Sequence, residues 1–158
     1  MTILSTAIRQ LLGQPTTTRL VATTDEFGKP YAVASPFLHA GEGGQLVHLE
    51  LLEKSATNRN LLRSLWFDKK VSVTLVAADG SSYVIPGRPV KALISGPVFR
   101  GYYQQVRAQL GDADLATVWL IEPEETVNET YAVGKLAEEE RFPFSVHLDR
   151  LLVPQVNG

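Results

Sequence analysis

Short strand-like runs, separated by turn residues at close intervals, constrain this sequence more than any other feature. Residues 20–24 favour a strand, the sequence Asp-Glu-Phe-Gly-Lys-Pro at 25–30 is typical of a turn, and residues 31–39 favour a returning strand. A glycine-rich turn at 41–44 then leads into a third strand over 45–52. Because strands joined by tight turns pair antiparallel, this part of the chain is predicted to be a three-stranded meander.

Helical periodicity is confined to a few segments between strands. Apolar residues recur at helical spacing over 2–12, 55–67 and 102–110, whereas 70–77 and 116–121 have the pattern of strands. Many short strands with interposed helices, and no alternation of strand and helix, predict an α+β domain built on a closed or nearly closed antiparallel barrel.

Three further segments are assigned from weaker patterns. Residues 83–95 have strand character that Pro86 and Gly87 interrupt, which fits an edge or a bulge. Residues 126–133 are predicted to be extended, and the acidic run at 138–141 is predicted to be a surface turn.

Composition excludes several classes of protein. The chain has 158 residues, enough for one domain with a single core, and its net charge of −2 gives no bulk attraction to nucleic acid. It has no cysteine, which excludes disulfides, thiolate catalysis and zinc–thiolate sites. No apolar run approaches the ~20 residues that cross a bilayer, and residues 1–14 lack the apolar core of a signal peptide. We therefore expect a cytoplasmic protein that binds neither nucleic acid nor a membrane.

A cluster of hydroxyl, amide and basic groups stands where the third strand gives way to a helix. The cluster comprises Lys54, Ser55, Thr57, Asn58 and Arg59. A helix N-terminus offers unpaired N–H groups and a partial positive charge, so this corner favours a phosphate. Ser and Thr are also preferred N-caps, and plain capping explains the pattern about as well.

Other candidate sites are weaker. The histidines at 39, 48 and 147 lack metal-ligand spacing, so no metal is predicted. His48 either faces a ligand or is simply half-buried. Ser35 has no Gly-x-Ser-x-Gly sequence around it, which disfavours a serine hydrolase of that type, and no Walker or Gly-x-Gly-x-x-Gly motif is present.

The order of these segments resembles the FMN-binding split β-barrel proteins related to pyridoxamine 5′-phosphate oxidase, with the haem-utilisation branch most similar. The resemblance covers about residues 19–123. The matching residues are Asp25, Gly28 and Pro30, Ser35-Pro36-Phe37, the segment 57–61, the segment 70–73, Arg88-Pro89 and Ser95-Gly96. It implies one domain over 1–158 with a Greek-key-like split barrel over 19–133, flanked by an N-terminal helix at 1–14 and a C-terminal docking segment at 138–158.

The resemblance also implies a homodimer with two FMN molecules at its interface. The phosphate would lie near Lys54, Ser55, Thr57 and Asn58, with Arg59 as a further candidate. The flavin ring would lie along two strands, one contributing Ser35, Pro36 and Phe37 and the other Val47, His48 and Leu49. Arg88 and Trp119 would approach from the partner subunit.

The activity that the resemblance implies is FMN-dependent oxidation or reduction of a small molecule. No side chain stands out as an acid or base. The Arg-rich substrate segment of pyridoxamine phosphate oxidases has no counterpart here. Three alternatives remain open: a non-catalytic flavin-storage or electron-transfer protein, a haem-binding or haem-degrading protein, and a protein that takes the deazaflavin F420 in place of FMN.

Overall fold

A computed structural model of the protein describes residues 3–144. Within that range the helices are α1 (Thr6–Gly13), α2 (Ala56–Trp66), α3 (Pro97–Leu110) and α4 (Tyr131–Arg141). The strands are β1 (Thr18–Thr24), β2 (Pro30–Ala34), β3 (His39–Ala40), β4 (Leu46–Glu50), β5 (Val71–Val76), β6 (Ser82–Leu93), β7 (Thr117–Pro123) and β8 (Val127–Asn128). None of the described helices is long and apolar enough to cross a membrane.

The strands form one antiparallel sheet in the order β2-β1-β5-β6-β7-β4-β3, with β8 beside β6. β2 and β3 lie at opposite edges of this order, yet only residues 35–38 connect them. Because four residues span at most ~14 Å, the two edges must come close together. The sheet therefore curls into a split barrel with flanking helices, which confirms the predicted fold.

The turn at residues 35–38 divides what the sequence predicted as one strand over 31–39. The N–H of Leu38 donates to the carbonyl of Ser35 at 3.1 Å, with Pro36 at the second position of the turn. Proline favours that position because its fixed φ suits the turn and it has no N–H to donate to a ladder.

Apolar side chains fill the barrel on one face of β4 and pack under α3 on the other. The barrel core includes Leu46, together with Val73, Ile85 and Trp119, whereas Val47 belongs to the cluster under α3. Every residue of β4 is buried, and successive side chains of a strand point to opposite faces. His48 and Glu50 therefore share the face of Leu46.

Several predicted boundaries were wrong. β6 is continuous through Pro86 and Gly87, with a bulge between Pro89 and Lys91. α3 begins at Pro97, five residues before the predicted start, because proline suits the first helical turn.

The C-terminal part also differs from prediction. The segment 126–133 contains only the short strand β8 before α4 begins, and the acidic residues 138–141 are the end of α4 instead of a turn. Of the predicted docking segment, residues 145–158 lie outside the described part of the chain, as does His147.

Candidate functional site

A cleft of about 720 Å³ opens beside the turn at 35–38, the end of β4 and the start of α2. Seven residues predicted to bind the cofactor line it: Ser35, Pro36, Phe37, His48, Leu49, Ser55 and Thr57. Apolar side chains of Tyr31, Val33, Leu51 and Leu52 complete much of its wall. The structure thus brings together the predicted second strand, third strand and helix entry around one cavity.

A chain of hydrogen bonds runs along one wall of the cleft. The Ser35 hydroxyl oxygen lies 2.6 Å from Nδ1 of His48, and Nε2 of His48 lies 3.2 Å from a carboxylate oxygen of Glu50. All three residues are buried. His48 and Glu50 are two apart on β4 and share a face, whereas Ser35 comes from the opposite edge of the sheet. The Ser35–His48 bond therefore crosses the split in the barrel.

The pKa of Glu50 is lowered. Burial acts to raise the pKa, but the hydrogen bond and attraction of His48, with hydrogen bonds from the Leu52 N–H and the Ser55 hydroxyl, outweigh it. An ionised carboxylate only accepts hydrogen bonds. In a neutral His48 ring the proton must then be on Nε2, which leaves Nδ1 to accept the hydroxyl proton of Ser35.

The start of α2 lies at the same cleft, which Ser55 and Thr57 line. The Ser55 hydroxyl accepts the N–H of Asn58 at 3.0 Å, and the Ser55 carbonyl accepts that of Arg59 at 3.2 Å. Ser55 is thus an N-cap, as one of the two interpretations predicted. The N–H groups of Ala56 and Thr57 have no acceptor among the described residues. Two backbone donors beside the cap therefore remain available to bind an anion.

Two of the predicted site residues, Trp119 and Asn58, contact each other and do not line the cleft. The Trp119 indole N–H donates to the Asn58 carboxamide oxygen at 2.9 Å, and the Asn58 amide donates to the Glu53 carbonyl at 2.8 Å. Trp119 is only 1% exposed and belongs to the barrel core. Within the protomer its indole therefore supports the start of α2.

The remaining predicted residues point elsewhere within the protomer. Val47 lines a groove under α3, and Arg59 lines a separate depression with Asp25. Arg88 donates to a carboxylate oxygen of Asp68 at 3.0 Å on the surface. Lys54 is exposed next to the cap and forms no ion pair among residues 3–144.

Sequence analysis missed several residues of the cleft. Glu50 was detectable in principle, since it lies two residues after His48 on a predicted strand and so shares its face. Asp112 and Asp114, which follow the end of α3, also line the cleft. Arg107 binds Asp114 at 2.7 Å, and this hydrogen bond, with one from Tyr103, lowers the pKa of Asp114.

Metal binding receives no support from the described residues, which contain no cluster of three His, Cys, Asp or Glu side chains that could hold an ion.

Comparison with known proteins gives similarity of fold without close similarity of sequence. No protein-family model matches the sequence, and no curated protein matches it significantly. HupZ of Group A Streptococcus superposes with a TM-score of 0.65 at 15% identity, covering 80% of this chain and 94% of HupZ. An F420 reductase gives 0.58 at 15% identity, covering 75% of this chain and 94% of the reductase. An FMN-binding protein from Syntrophomonas wolfei gives 0.61 at 11% identity, covering 77% and 82%.

These similarities show that the chain shares the split β-barrel fold of those proteins. The cofactor and activity are a separate question, because one fold carries many functions.

Proposed function

We propose that the protein binds FMN in the cleft beside α2 and acts as an oxidoreductase on a small molecule. The observation that carries the proposal is the cleft itself, where apolar walls and an open helix N-terminus converge. Flavin sites need both features, an apolar slot for the ring and donors for the phosphate. Fold similarity to an FMN-binding protein and to an F420 reductase supports a flavin-type cofactor.

The donors at the start of α2 fit a phosphate. The N–H groups of Ala56 and Thr57, the hydroxyl of Thr57 and the exposed ammonium of Lys54 would hold it. Three carboxylates line the cleft, and of these Glu50, unlike Asp112 and Asp114, lies at the end of β4, where its oxygens already accept hydrogen bonds from His48 and Leu52. Its charge is therefore partly compensated before any ligand binds.

Bound FMN would supply the electron transfer, and the chain would bind and orient it. Phe37 and Leu49 would form part of the apolar wall against the ring, and Ser35 would present a hydroxyl oxygen beside it.

We also propose a homodimer with one cleft per subunit. Among residues 3–144, Arg88 is engaged only by Asp68 on the surface and is exposed, so it remains available to a second copy. Exposed apolar side chains such as Ile94 and Val98 support association. Light scattering that gives the mass of a monomer at micromolar concentration would contradict this part of the proposal.

A haem function has less support than a flavin function, because the ring nitrogens of the described histidines are already hydrogen-bonded. Both nitrogens of His48 are engaged, by Ser35 and Glu50, and both of His39 are engaged, by the Phe37 carbonyl and the Tyr102 hydroxyl. Either ring would have to break a buried or half-buried hydrogen bond to bind iron.

The test is a spectrum followed by a titration. We expect the purified protein to carry, or to take up, FMN with quenching of its fluorescence, and titrations with F420 and haem in parallel identify the preferred cofactor. A preparation that is colourless and remains so after FMN is added and excess ligand removed would contradict the proposal.

A further inference from the structure

We propose that Ser35 is an activated nucleophile, with His48 as its general base and Glu50 as the residue that positions His48, so that the cleft accepts small esters with an apolar acyl group. This inference does not rest on flavin binding, and the flavin-free protein tests it.

The first support is the geometry. A serine nucleophile needs a base within about 2.6–3.2 Å of its oxygen, and that base needs a third group to hold it. Ser35 and His48 are 2.6 Å apart, and His48 and Glu50 are 3.2 Å apart. The residues are 2%, 4% and 8% exposed, so water competes little for these bonds.

The second support is the direction of the hydrogen bonds. Glu50 accepts from Nε2 of His48 and from the N–H of Leu52, which holds the carboxylate in place. With Nε2 as the donor, Nδ1 carries the lone pair that faces the Ser35 hydroxyl. The base is thus in the tautomer that can take the serine proton.

The third support is the surrounding cleft. Ser35, His48 and Glu50 all line it, and Val33, Phe37 and Leu51 give it apolar walls suited to an acyl chain. Thr57 lines the same cleft, and its N–H, with that of Ala56, has no acceptor among residues 3–144. Unpaired backbone donors stabilise the oxyanion that develops during acyl transfer.

The reaction is an ordinary acyl transfer. The Ser35 oxygen forms a bond to the acyl carbon while its proton passes to Nδ1 of His48. The ester C–O bond then breaks, and the leaving alkoxide takes that proton. Water attacks the acyl-serine with His48 again as base, releasing a carboxylic acid and restoring the hydroxyl. The step consumes only the ester and water.

The experiment uses the flavin-free full chain and p-nitrophenyl acetate, a slim ester suited to a serine that is only 2% exposed. We expect a burst of p-nitrophenolate and an acetyl group on the peptide that contains Ser35. Ser35→Ala should abolish both, whereas Ser72→Ala, a half-buried serine on β5, should change neither.

Glu50→Gln separates an activated serine from a structural hydrogen bond. Its carboxamide can donate to Nε2 and so favour the tautomer that cannot accept the serine proton. We expect the acylation rate to fall about a hundredfold or more, with circular dichroism unchanged. If the acetyl group is found only on lysines, or forms equally fast in folded Ser35→Ala or Glu50→Gln, the three residues are a structural network and the inference is overturned.

FMN serves as a second probe of the same cleft. If both proposals hold, saturating FMN should protect Ser35 from acylation. Acylation of Ser35 without any FMN binding would contradict only the proposed flavin function, and FMN binding without acylation would contradict only this inference.

Discussion

The indole nitrogen of Trp119 on β7 donates a 2.9 Å hydrogen bond to the side-chain oxygen of Asn58 in the first turn of α2. This bond ties the barrel core to the helix whose first residues line the cleft. Asn58 in turn donates to the carbonyl of Glu53, so one amide joins the end of β4, the helix and the core. The geometry of the proposed phosphate site therefore depends on a residue that cannot itself touch the ligand.

Trp119→Phe tests this support. The substitution keeps an aromatic ring in the core but leaves the Asn58 oxygen without its donor, and we expect a loss of roughly 1–3 kcal/mol in the free energy of unfolding. Urea denaturation measures it. Trp66→Phe is the matched control, because Trp66 is 71% exposed and should change stability by less than about 0.5 kcal/mol. Equal effects of the two substitutions would show that the hydrogen bond contributes little.

Lys54→Ala tests the phosphate site. The ammonium is exposed beside the cap of α2 and would contribute a charge-assisted hydrogen bond to a bound phosphate. We expect FMN binding to weaken by about 1–3 kcal/mol, roughly 5- to 150-fold in Kd, and the effect to shrink at high salt. Fluorescence titration measures Kd. Lys29→Ala, on the exposed turn between β1 and β2, is the control. An unchanged Kd for Lys54→Ala would place the phosphate elsewhere.

Acid stability should depend on Glu50. Burial acts to raise the pKa of this carboxyl, but hydrogen bonding from His48 and Leu52 lowers it below its ordinary value of 4.5. A group whose pKa is lower in the folded state contributes stability above its unfolded pKa and loses it as pH falls through the folded pKa. As the pH is lowered below about 4.5, we expect the unfolding free energy of Glu50→Gln to fall less steeply than that of the parent protein.

Denaturant titrations at a series of pH values give that slope. Glu53→Gln is the matched control, since Glu53 is three residues away and exposed. If the unfolding free energies of Glu50→Gln and Glu53→Gln fall equally steeply as the pH is lowered, the interactions of Glu50 do not determine stability at acid pH.

Much of the fold follows from local patterns, whereas the site depends on which strands become neighbours. Short strands with tight turns identified the antiparallel barrel because each signal lies within a few residues. Nothing local indicates that β2 and β3 form opposite edges of the sheet, and so nothing local shows that Ser35 meets His48 across the split. The sequence therefore supplied both residues as separate candidates and missed their contact.

Burial on both faces of a strand explains why the sequence did not show which way the side chains of Trp119 and Val47 point. A strand covered on both faces has apolar residues at successive positions, so its sequence does not show which side chains face a cavity. β4 is buried along its whole length, and Val47 faces α3 instead of the cleft. The prediction for the helix entry was better, because capping chemistry is local and Ser55 does cap α2.

Gly87 on β6 provides a last prediction, since it lies directly against the backbone of the neighbouring strand β7. A side chain at this position would run into the backbone carbonyl of Glu122 on the paired strand β7. Because that obstacle is backbone, β6 and β7 would have to move apart to make room. We expect Gly87→Ala to destabilise the protein by about 1–3 kcal/mol.

Gly101→Ala, in α3 with open space around it, should be neutral or stabilise by up to about 1 kcal/mol. Thermal unfolding of the two variants compares them directly, and a Gly87→Ala protein as stable as the parent would show that β6 and β7 are not held as closely as the structure describes.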